Sequence, residues 1–387
     1  MTRCAKRPSG CCTPSPAAPP SRRATAPAHR RWSPWRRKFW TAACRRSAPT
    51  AAPACSRSPG RSWKNSLAAL CDKPVVVAVG GPTATGKTAL AVHLARAFGG
   101  EVISADSMQV YRGLDIGTAK ATAEERRGVP HHLLDILDPA EPFSVADFVP
   151  AAGACIRRLT AACRLPIVAG GTGLYLTSLL TGLSFSPEKA DPALRAALER
   201  RAETEGLGAL YAELERIDPA YAAAVHPNNR PRILRALELY AATGRRMSEQ
   251  RAAARPAEAP YRALCLCLTF RDREMLYRRI DARVDSMVAQ GLVREARYVY
   301  ENRGRFATAA QAIGYKELFP YLAGQSELEP CVAALKQASR RYAKRQLTWF
   351  RHQGDVTWLA LDEPGAPPPA ARAEALVRAF LEKNAAC

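Results

Sequence analysis

The sequence predicts an α/β protein, built on a parallel sheet with helices on both faces and interrupted by an all-helical block. Three observations predict this fold class. The apolar run PVVVAVG at 74–80 leads into GPTATGKT at 81–88, a glycine-rich loop that opens a helix. Strand-like and helix-like segments then alternate, as they do in parallel sheets. The block at 188–259 contains helical patterns but no strand-like segment.

The loop is followed by a helix and then by two further strands. The segment after the loop carries apolar residues at helical spacing and ends at Gly99, so it is a helix. EVISADS at 101–107 is the second strand, and LPIVAGGTGLY at 165–175 is a third strand that turns through two glycines into a helix. Because ligands of parallel sheets bind at the carboxyl ends of the strands, the loops after these strands form the candidate site.

The later elements include the helical block and a return to strands. The block consists of successive amphipathic helices, broken by Gly206, Pro219 and the HPNN turn at His226. After it come, in order, a strand at 261–270, helical stretches at 273–300 and 334–353, a strand at 355–361 and a final helix.

The positive charge is concentrated at the start of the chain. The formal net charge is +22 on 387 residues; sixteen basic residues and one acid in 1–73 contribute +15, which leaves +7 for 74–387. Residues 1–72 are rich in Pro, Ala and Ser without hydrophobic periodicity, so we predict a disordered basic tail. The tail could be an organellar leader, an arm that contacts nucleic acid, or upstream sequence that is translated by mistake and is not part of the true protein. We favour the third.

The sequence after the tail indicates a two-part, membrane-free organisation. We predict a core formed by 73–187 and 260–387, with 188–259 as a helical insertion. No run of about 18 apolar residues occurs, so we expect no membrane span. The twelve cysteines lack the spacing of a zinc site, so we expect reduced thiols. The basic folded part favours a polyanionic partner, although charge alone also serves solubility.

GPTATGKT is a phosphate-binding signature of the P-loop type. Its glycines let backbone N–H groups turn inward at a helix N-terminus, the lysine adds a full charge, and the final threonine can bind a Mg²⁺ that bridges two phosphates. The residues concerned are Gly81, Pro82, Thr83, Ala84, Thr85, Gly86, Lys87 and Thr88. Most such loops bind ATP or GTP, but the motif does not identify the compound that carries the phosphates.

The absence of an acid at the end of the third strand argues against a motor or switch ATPase. Such hydrolases need an acid at the end of a later strand, and the third strand ends in a glycine pair instead. Asp135 and Asp138 are weak substitutes. Asp106 does follow the second strand, where a carboxylate can take a proton from an incoming nucleophile. It could also cap a following helix, and a small-molecule kinase would have the same geometry.

Eight blocks of the sequence match the motifs of one enzyme family. They are GPTATGKT at 81–88, DSMQVYRGLDIGTAK at 106–120, HHLLDILDP at 131–139, FSVADF at 143–148, GGTGLY at 170–175, RILRALE at 232–238, QAIGYKEL at 311–318 and YAKRQLTWFR at 342–351. In this order they resemble the tRNA dimethylallyltransferases, also called tRNA isopentenyltransferases, over nearly three quarters of the chain. No Cys/His pattern after Leu361 matches the zinc finger of eukaryotic relatives. We therefore expect the bacterial type, a monomer in the cytoplasm.

The resemblance implies a prenyl transfer. Dimethylallyl diphosphate donates its allyl group to the N6 amine of the adenine 3′ of the anticodon, in tRNAs that read codons beginning with U. The leaving diphosphate would be stabilised by the loop, Lys87 and a Mg²⁺ bound to Thr88. Thr83 would contact the donor, and Asp106 would deprotonate the amine. Because no phosphoryl group is hydrolysed, the missing second acid is accounted for.

The resemblance also implies which residues meet the tRNA. They are Asp106, Ser107, Met108 and Gln109 at a flipped-out base, together with Thr172, Arg195, Pro231, Arg232, Ile233, Leu234 and Arg235. Arg232 and Arg235 lie three apart on one helix face and can reach one phosphate backbone, while the apolar residues between them serve the core. Ser107 and Gln109 would offer hydrogen bonds to the base. Without the resemblance, Thr172 could be a helix N-cap and Arg195 a solvated charge.

Other functions stay open at this stage. An adenylate isopentenyltransferase shares the core but acts on free nucleotides, which need neither a helical clamp nor the basic helix at 340–351. A P-loop small-molecule kinase would consume ATP. A protein that binds RNA without catalysis would be indifferent to the loss of Asp106.

Overall fold

The computed structural model describes residues 73–185, 191–254 and 256–385, so the predicted tail at 1–72 lies outside the described residues. Within these ranges the strands are β1 Val75–Gly80, β2 Glu101–Ser104, β3 His131–His132, β4 Pro166–Ala169, β5 Arg262–Thr269 and β6 Thr357–Ala360. The α-helices are α1 Lys87–Phe98, α2 Ala123–Arg126, α3 Val145–Ala161, α4 Gly173–Thr181, α5 Pro192–Thr204, α6 Leu207–Ile217, α7 Pro219–Ala222, α8 Arg230–Thr243, α9 Met247–Ala253, α10 Arg273–Ala289, α11 Leu292–Glu301, α12 Phe319–Leu322, α13 Leu328–Arg351 and α14 Pro369–Ala385.

The strands form one parallel sheet in the order β3-β2-β4-β1-β5-β6. β1 lies in the middle, with Val77 opposite Ile167 of β4 on one side and Leu264 of β5 on the other. Because all strands run the same way, the segments that follow β1, β2 and β4 meet at one edge of the sheet. The predicted parallel α/β fold is confirmed.

Helices cover both faces of the sheet. On one face, α1 and α14 pack against the alternate side chains Val75, Val77 and Val79. On the other face lie α3 and α4, and the ring of Phe350 from α13 comes so near Gly80 that a Cβ there would lie 2.9 Å from it. The central strand is buried on both faces, which explains its continuous apolar sequence.

The helices α5 to α9 carry a hydrophobic cluster of their own. Its buried members include Leu198, Leu210, Leu214, Ile233 and Leu237. Local capping sets the helix starts: the Asp218 carboxylate accepts from the N–H of Tyr221 ahead of α7, and Asn229 caps α8. The division into core and insertion stays a prediction, since all described residues belong to one compact unit.

The structure differs from the sequence predictions at three places. β2 ends at Ser104 because the chain then turns around the carboxylate of Asp106. The strand β3 is absent from the predicted elements, since two residues are too few to show an alternating pattern. The helical stretch at 273–300 is two helices, because Gly291, with a φ of 103°, separates α10 from α11.

Two compositional expectations concern the described ranges as well. No helix there combines the length and the apolar composition that crossing a bilayer requires. Five cysteines in the same ranges are free thiols: Cys155, Cys163, Cys265, Cys267 and Cys331. Burial raises the thiol pKa of Cys155 and Cys265 to about 11, so both stay protonated and unreactive at neutral pH.

We expect Gly170→Ala to destabilise the fold and Gly208→Ala to leave it intact. A Cβ on Gly170 would lie 2.1 Å from the carbonyl oxygen of Ala105, and neither backbone can yield without separating β2 from β4. Overpacking of this kind costs about 1–3 kcal/mol or more. Gly208 has open space at its Cβ position in α6, where alanine gains up to about 1 kcal/mol in helix propensity.

Thermal unfolding followed by circular dichroism checks this pair. The melting temperature should fall for Gly170→Ala and should equal or exceed that of the wild type for Gly208→Ala. Equal melting temperatures for the two variants would contradict the close approach of the chain segments after β2 and β4.

Candidate active site

The loop after β1 depends on glycine at two positions. Gly81 has a φ of 132°, and a Cβ there would lie 2.6 Å from a carbonyl oxygen of β5. Gly86, with a φ of 79°, leads into α1. The Thr85 hydroxyl and the Lys87 ammonium both donate to the Pro82 carbonyl, at 2.8 and 2.7 Å. These bonds fold the loop into a compact turn at the N-terminus of α1, where anionic oxygens bind.

Lys87 lies in an environment that weakens its hold on its proton. Burial lowers the pKa of Lys87 from 10.5 to about 8, and the nearby guanidinium of Arg283 contributes in the same direction. The carboxylate of Asp106 acts in the opposite direction. A diphosphate in the loop would restore the charged form, because it places negative charge beside the ammonium group.

The turn after β2 is held by the side chain of Asp106. Its Oδ1 accepts hydrogen bonds from the backbone N–H groups of Met108 at 2.9 Å and Gln109 at 3.4 Å. Asp106 therefore caps a turn, and the expected alternative of a helix cap does not apply. Neither bond uses Oδ2, so the carboxylate can hold the turn and still accept a proton.

Gln346 of α13 connects two strand ends. Its Oε1 accepts from the backbone N–H of Thr83 at 2.9 Å, and its Nε2 donates to the carbonyl of Gly171 at 2.8 Å. A Cβ on Gly171 would lie 2.3 Å from Nε2, so the second glycine of the pair after β4 is required for this contact. The glycine pair thus accommodates a side chain from the C-terminal half of the protein.

Thr172 links the same region to the turn after β2. It is the N-cap residue of α4 by position, but its hydroxyl makes no capping bond and accepts from the N–H of Ser107 at 3.3 Å. The phenol of Tyr342, one turn before Gln346, lies beside the Thr172 hydroxyl. Burial, with a smaller contribution from Asp106, raises the pKa of Tyr342 to about 12, so this phenol stays protonated.

Several of these groups line one cavity of about 270 Å³, whereas Lys87 and Thr172 are not part of its lining. Its polar lining includes Thr83, Asp106, Arg283, Tyr342 and Gln346. Its apolar lining consists mainly of Ile280, Val284, Met287, Ile313 and Leu335. The members on α10 recur at helical spacing and form one face of that helix. Such a lining suits a ligand that has an anionic part and a small apolar part.

Family models and sequence relatives agree on where this chain belongs. The model described as IPP transferase matches residues 109–353, and the model described as isopentenyl transferase matches 74–136. A tRNA dimethylallyltransferase of Geobacillus kaustophilus is 50% identical over 290 residues, which are 75% of this chain and 91% of the relative. One of Bacillus subtilis is 48% identical over 292 residues, 76% and 92% of the two chains. The chain belongs to the tRNA dimethylallyltransferase family.

Solved structures support the same placement. The full-length tRNA isopentenylpyrophosphate transferase of Bacillus halodurans has a TM-score of 0.60 and 46% identity, covering 80% of this chain and 97% of its own. A eukaryotic dimethylallyltransferase acting on tRNA has a TM-score of 0.67 and 30% identity, covering 80% and 79%. The predicted membership of the tRNA dimethylallyltransferase family is confirmed, and the relatives near 50% identity are bacterial.

Three side chains at this dimethylallyltransferase site are not among the residues singled out from sequence. Arg279 donates from Nε to the carbonyl of Ala84 at 3.0 Å and so supports the loop where Ala84 has a φ of 63°. Arg283 lines the cavity, and burial lowers its guanidinium pKa. Gln346 is 5% exposed. A charged or amide residue on the apolar face of a helix is the signal that could have identified Arg283 and Gln346.

The residues expected at the flipped-out base line the cavity, but the side chain of Gln109 is already hydrogen-bonded within the protein. Asp106, Ser107, Met108 and Gln109 all line it. The Gln109 amide donates to the carbonyls of Thr118 at 3.1 Å and Ala119 at 3.3 Å. Its Oε1 accepts from the hydroxyl of Ser104 at 3.0 Å. Both amide hydrogens of Gln109 are therefore engaged within the protein. The expectation from sequence was that this side chain would form hydrogen bonds with the target base.

The expected tRNA contacts of the insertion lie on α5 and α8, apart from the cavity lining. Pro231 and Arg232 are exposed, whereas the side chains of Ile233 and Leu234 are 0% and 1% exposed. Those two side chains belong to the hydrophobic cluster, so they do not offer a surface to RNA.

Two arginines of the family's expected tRNA surface share one buried carboxylate. Oε2 of Glu238 lies 3.1 Å from Nη1 of Arg235 on the same helix and 3.8 Å from Nη1 of Arg195. Arg195 also pairs with Glu199 at 2.8 Å. Glu238 is 2% exposed, so it holds the two guanidinium groups near each other at the surface of the insertion.

The basic helix α13 divides its charges between two roles. Arg340 is paired with Asp281 of α10 at 2.6 Å. Arg341, Lys344, Arg345 and Arg351 are exposed. The cavity-lining residues of this helix recur at positions 335, 339, 342 and 346, which is helical spacing. One face therefore forms the site while others carry positive charge to the surface.

The lowered pKa of Lys87 predicts how diphosphate binding depends on pH. The ammonium form of Lys87 binds an alkyl diphosphate more tightly than the neutral amine, so affinity should be constant below about pH 8 and should fall by up to about tenfold per pH unit above it. Isothermal titration calorimetry between pH 7 and 9.5 measures this.

The matched control is Lys87→Arg. An arginine stays charged throughout this pH range, so the variant should bind more weakly than the wild type but without the fall above pH 8. A wild-type affinity that stays level up to pH 9.5 would contradict the lowered pKa.

Proposed function

We propose that this protein transfers a dimethylallyl group from dimethylallyl diphosphate to the N6 amine of the adenine 3′ of the anticodon, in tRNAs that read codons beginning with U. One observation carries the proposal: a carboxylate at the end of β2, Thr83 of the phosphate loop and an apolar wall line the same cavity. These three parts match the amine that loses a proton, the diphosphate that leaves and the five-carbon group that moves.

The donor would bind with its diphosphate in the loop at the start of α1. The backbone N–H groups of the loop, Lys87 and the cavity-lining Arg283 stabilise the charge that develops on the departing oxygen. As the bond between C1 and this oxygen breaks, a bond forms between C1 and the adenine N6. Ile280, Val284 and their neighbours enclose the allyl group and keep water from its cationic carbon.

The acceptor amine would lie against Asp106. The carboxylate takes the proton that N6 releases, so the reaction ends with a protonated Asp106, a neutral secondary amine and free diphosphate. The bonds from Met108 and Gln109 to Oδ1 hold the carboxylate in one orientation. Ser107, whose N–H is held by Thr172, offers its hydroxyl near the base.

A Mg²⁺ fits the start of α1. Thr88 follows Lys87 and is part-exposed, so its hydroxyl can supply one ligand. No cluster of three His, Cys, Asp or Glu side chains suited to a metal occurs in the described ranges, so the remaining ligands would be diphosphate oxygens and water. When bound, the ion neutralises charge on the diphosphate.

The tRNA would lie across the insertion and the basic face of α13. Arg232, Arg235 and Arg195 would contact the backbone of the anticodon stem, and the exposed arginines of α13 would border the path to the cavity. The target adenine leaves its stack to reach Asp106. A free nucleotide as acceptor is not favoured, since the chain matches tRNA enzymes over nearly their full length. We further propose that the protein acts as a monomer in the cytoplasm.

We expect Asp106→Asn to lower the rate of prenyl transfer by about 10²–10⁴-fold, in line with the loss of a general base. Asparagine keeps an oxygen that can accept from Met108, so the turn and the affinity for an anticodon stem-loop should be preserved. Single-turnover transfer of radiolabelled dimethylallyl and stem-loop binding measure the two properties.

Asp138→Asn is the control for Asp106→Asn. Asp138 accepts from the N–H of Ala140 in another turn and does not line the cavity, so its amide variant should retain the wild-type rate. Full activity in Asp106→Asn would refute the proposed role of the carboxylate.

Arg232→Ala should weaken tRNA binding and reduce its salt dependence. Loss of one phosphate contact lowers the slope of log K against log salt by roughly one unit. Filter binding between low and moderate salt gives the slope. Arg201→Ala removes the same charge from the insertion, but Arg201 is paired with Glu205 and Glu213. This control should keep the wild-type slope, and an unchanged slope in Arg232→Ala would place the stem elsewhere.

A further inference from the structure

The segment at 115–119 forms one wall of the cavity and is held from outside it. Gly117, Thr118 and Ala119 line the cavity. The segment is a hydrogen-bonded turn, in which the N–H of Ala119 donates to the carbonyl of Ile116 and the N–H of Lys120 donates to the carbonyl of Asp115. It belongs to the block DIGTAK, which has no role in the reaction described above.

One carboxylate satisfies the start of this turn. Glu295 of α11 accepts from the consecutive backbone N–H groups of Asp115, Ile116 and Gly117, at 2.8, 2.9 and 2.8 Å. It also accepts from the hydroxyl of Tyr315 at 2.8 Å. Four donors on one carboxylate form a strong, charge-assisted anchor, equivalent to a helix cap supplied by a distant part of the chain.

The anchor leaves no room for movement at its centre. A Cβ on Gly117 would lie 2.5 Å from the ring of Tyr315, which is fully buried. At the end of the turn, the ammonium of Lys120 donates to the Tyr111 carbonyl and to the carboxylates of Asp115 and Asp135. The turn is therefore held by the carboxylate of Glu295 at its start and by the ammonium of Lys120 at its end.

The far end of the turn is hydrogen-bonded to Gln109. The carbonyls of Thr118 and Ala119 accept both hydrogens of the Gln109 amide, and the backbone N–H of Gln109 donates to Oδ1 of Asp106. Glu295 is thus connected to the carboxylate at the end of β2 by hydrogen bonds at both ends of the turn, by the covalent backbone of the turn and by the side chain and backbone of Gln109.

We propose that Glu295 is a positioning residue for prenyl transfer: it holds the 115–119 turn, and through Gln109 it sets the orientation of Asp106. This inference rests on the proposed role of Asp106 as the base. A displacement of about 1 Å at a reacting group can cost about 10²-fold in rate, so an anchor outside the cavity can control catalysis without touching substrate.

The test is Glu295→Gln in the full-length protein. The amide is isosteric, but its NH₂ group faces N–H donors that need an acceptor, so the turn loses part of its anchor. We expect the single-turnover rate at saturating substrates to fall by about 10–100-fold. The dissociation constant for the anticodon stem-loop should change by less than about threefold, since the change leaves the insertion intact. Glu301→Gln, at the exposed end of the same helix, should behave as the wild type.

A double-mutant cycle separates positioning from loss of general stability. If Glu295 acts through Gln109, the loss in Glu295→Gln combined with Gln109→Met should be no larger than the greater of the two single losses. Rate losses that multiply, or a full rate per folded molecule in Glu295→Gln, would overturn the inference. If Glu295→Gln does not fold, Tyr315→Phe removes one donor to the same carboxylate and should show a smaller, equally non-additive loss with Gln109→Met.

The two proposals fail in different ways. Full activity in Asp106→Asn would remove the base itself and the proposed mechanism. A large loss in Asp106→Asn together with full activity in Glu295→Gln would refute only the positioning role.

Discussion

The side-chain amide of Gln346 joins the two strand ends between which the candidate site lies. It accepts from the N–H of Thr83 in the phosphate loop and donates to the carbonyl of Gly171 after β4. Because Gln346 belongs to α13, this bridge also brings the cavity face of the long C-terminal helix against the sheet edge. This contact requires glycine at 171, and Tyr342, one turn earlier on the same helix, lines the cavity beside Gln346.

The site combines two kinds of surface that reach it from different parts of the chain. The first half supplies the polar turns that follow β1 and β2. These turns lie together because the carboxyl ends of parallel strands meet at one edge of the sheet. The second half supplies α10 and α13, whose apolar faces close the cavity and whose polar residues Arg283 and Gln346 point to the same place. A mixed lining of this kind separates a prenyl transferase from a simple phosphate-binding protein.

The sequence allows prediction of the parts of the site that depend on local chemistry. Gly81, Gly86 and Lys87 define the loop, and Asp106 follows a recognisable strand, so both could be placed in advance. Contacts between distant segments could not: nothing in the pattern around Glu295 indicates that its carboxylate binds three backbone N–H groups 178 to 180 residues away. The same limit explains why Gln109 was expected to face a base, while its amide is engaged by Thr118 and Ala119.

The most direct test of the central claim follows the label from the donor. The wild-type protein is given dimethylallyl diphosphate labelled in the allyl group, Mg²⁺, and equal concentrations of AMP and an unmodified anticodon stem-loop. The account predicts that the label enters the adenosine 3′ of the anticodon and that one diphosphate is released for each label transferred. Label in AMP in preference to the stem-loop, or release of diphosphate without labelled RNA, would contradict it.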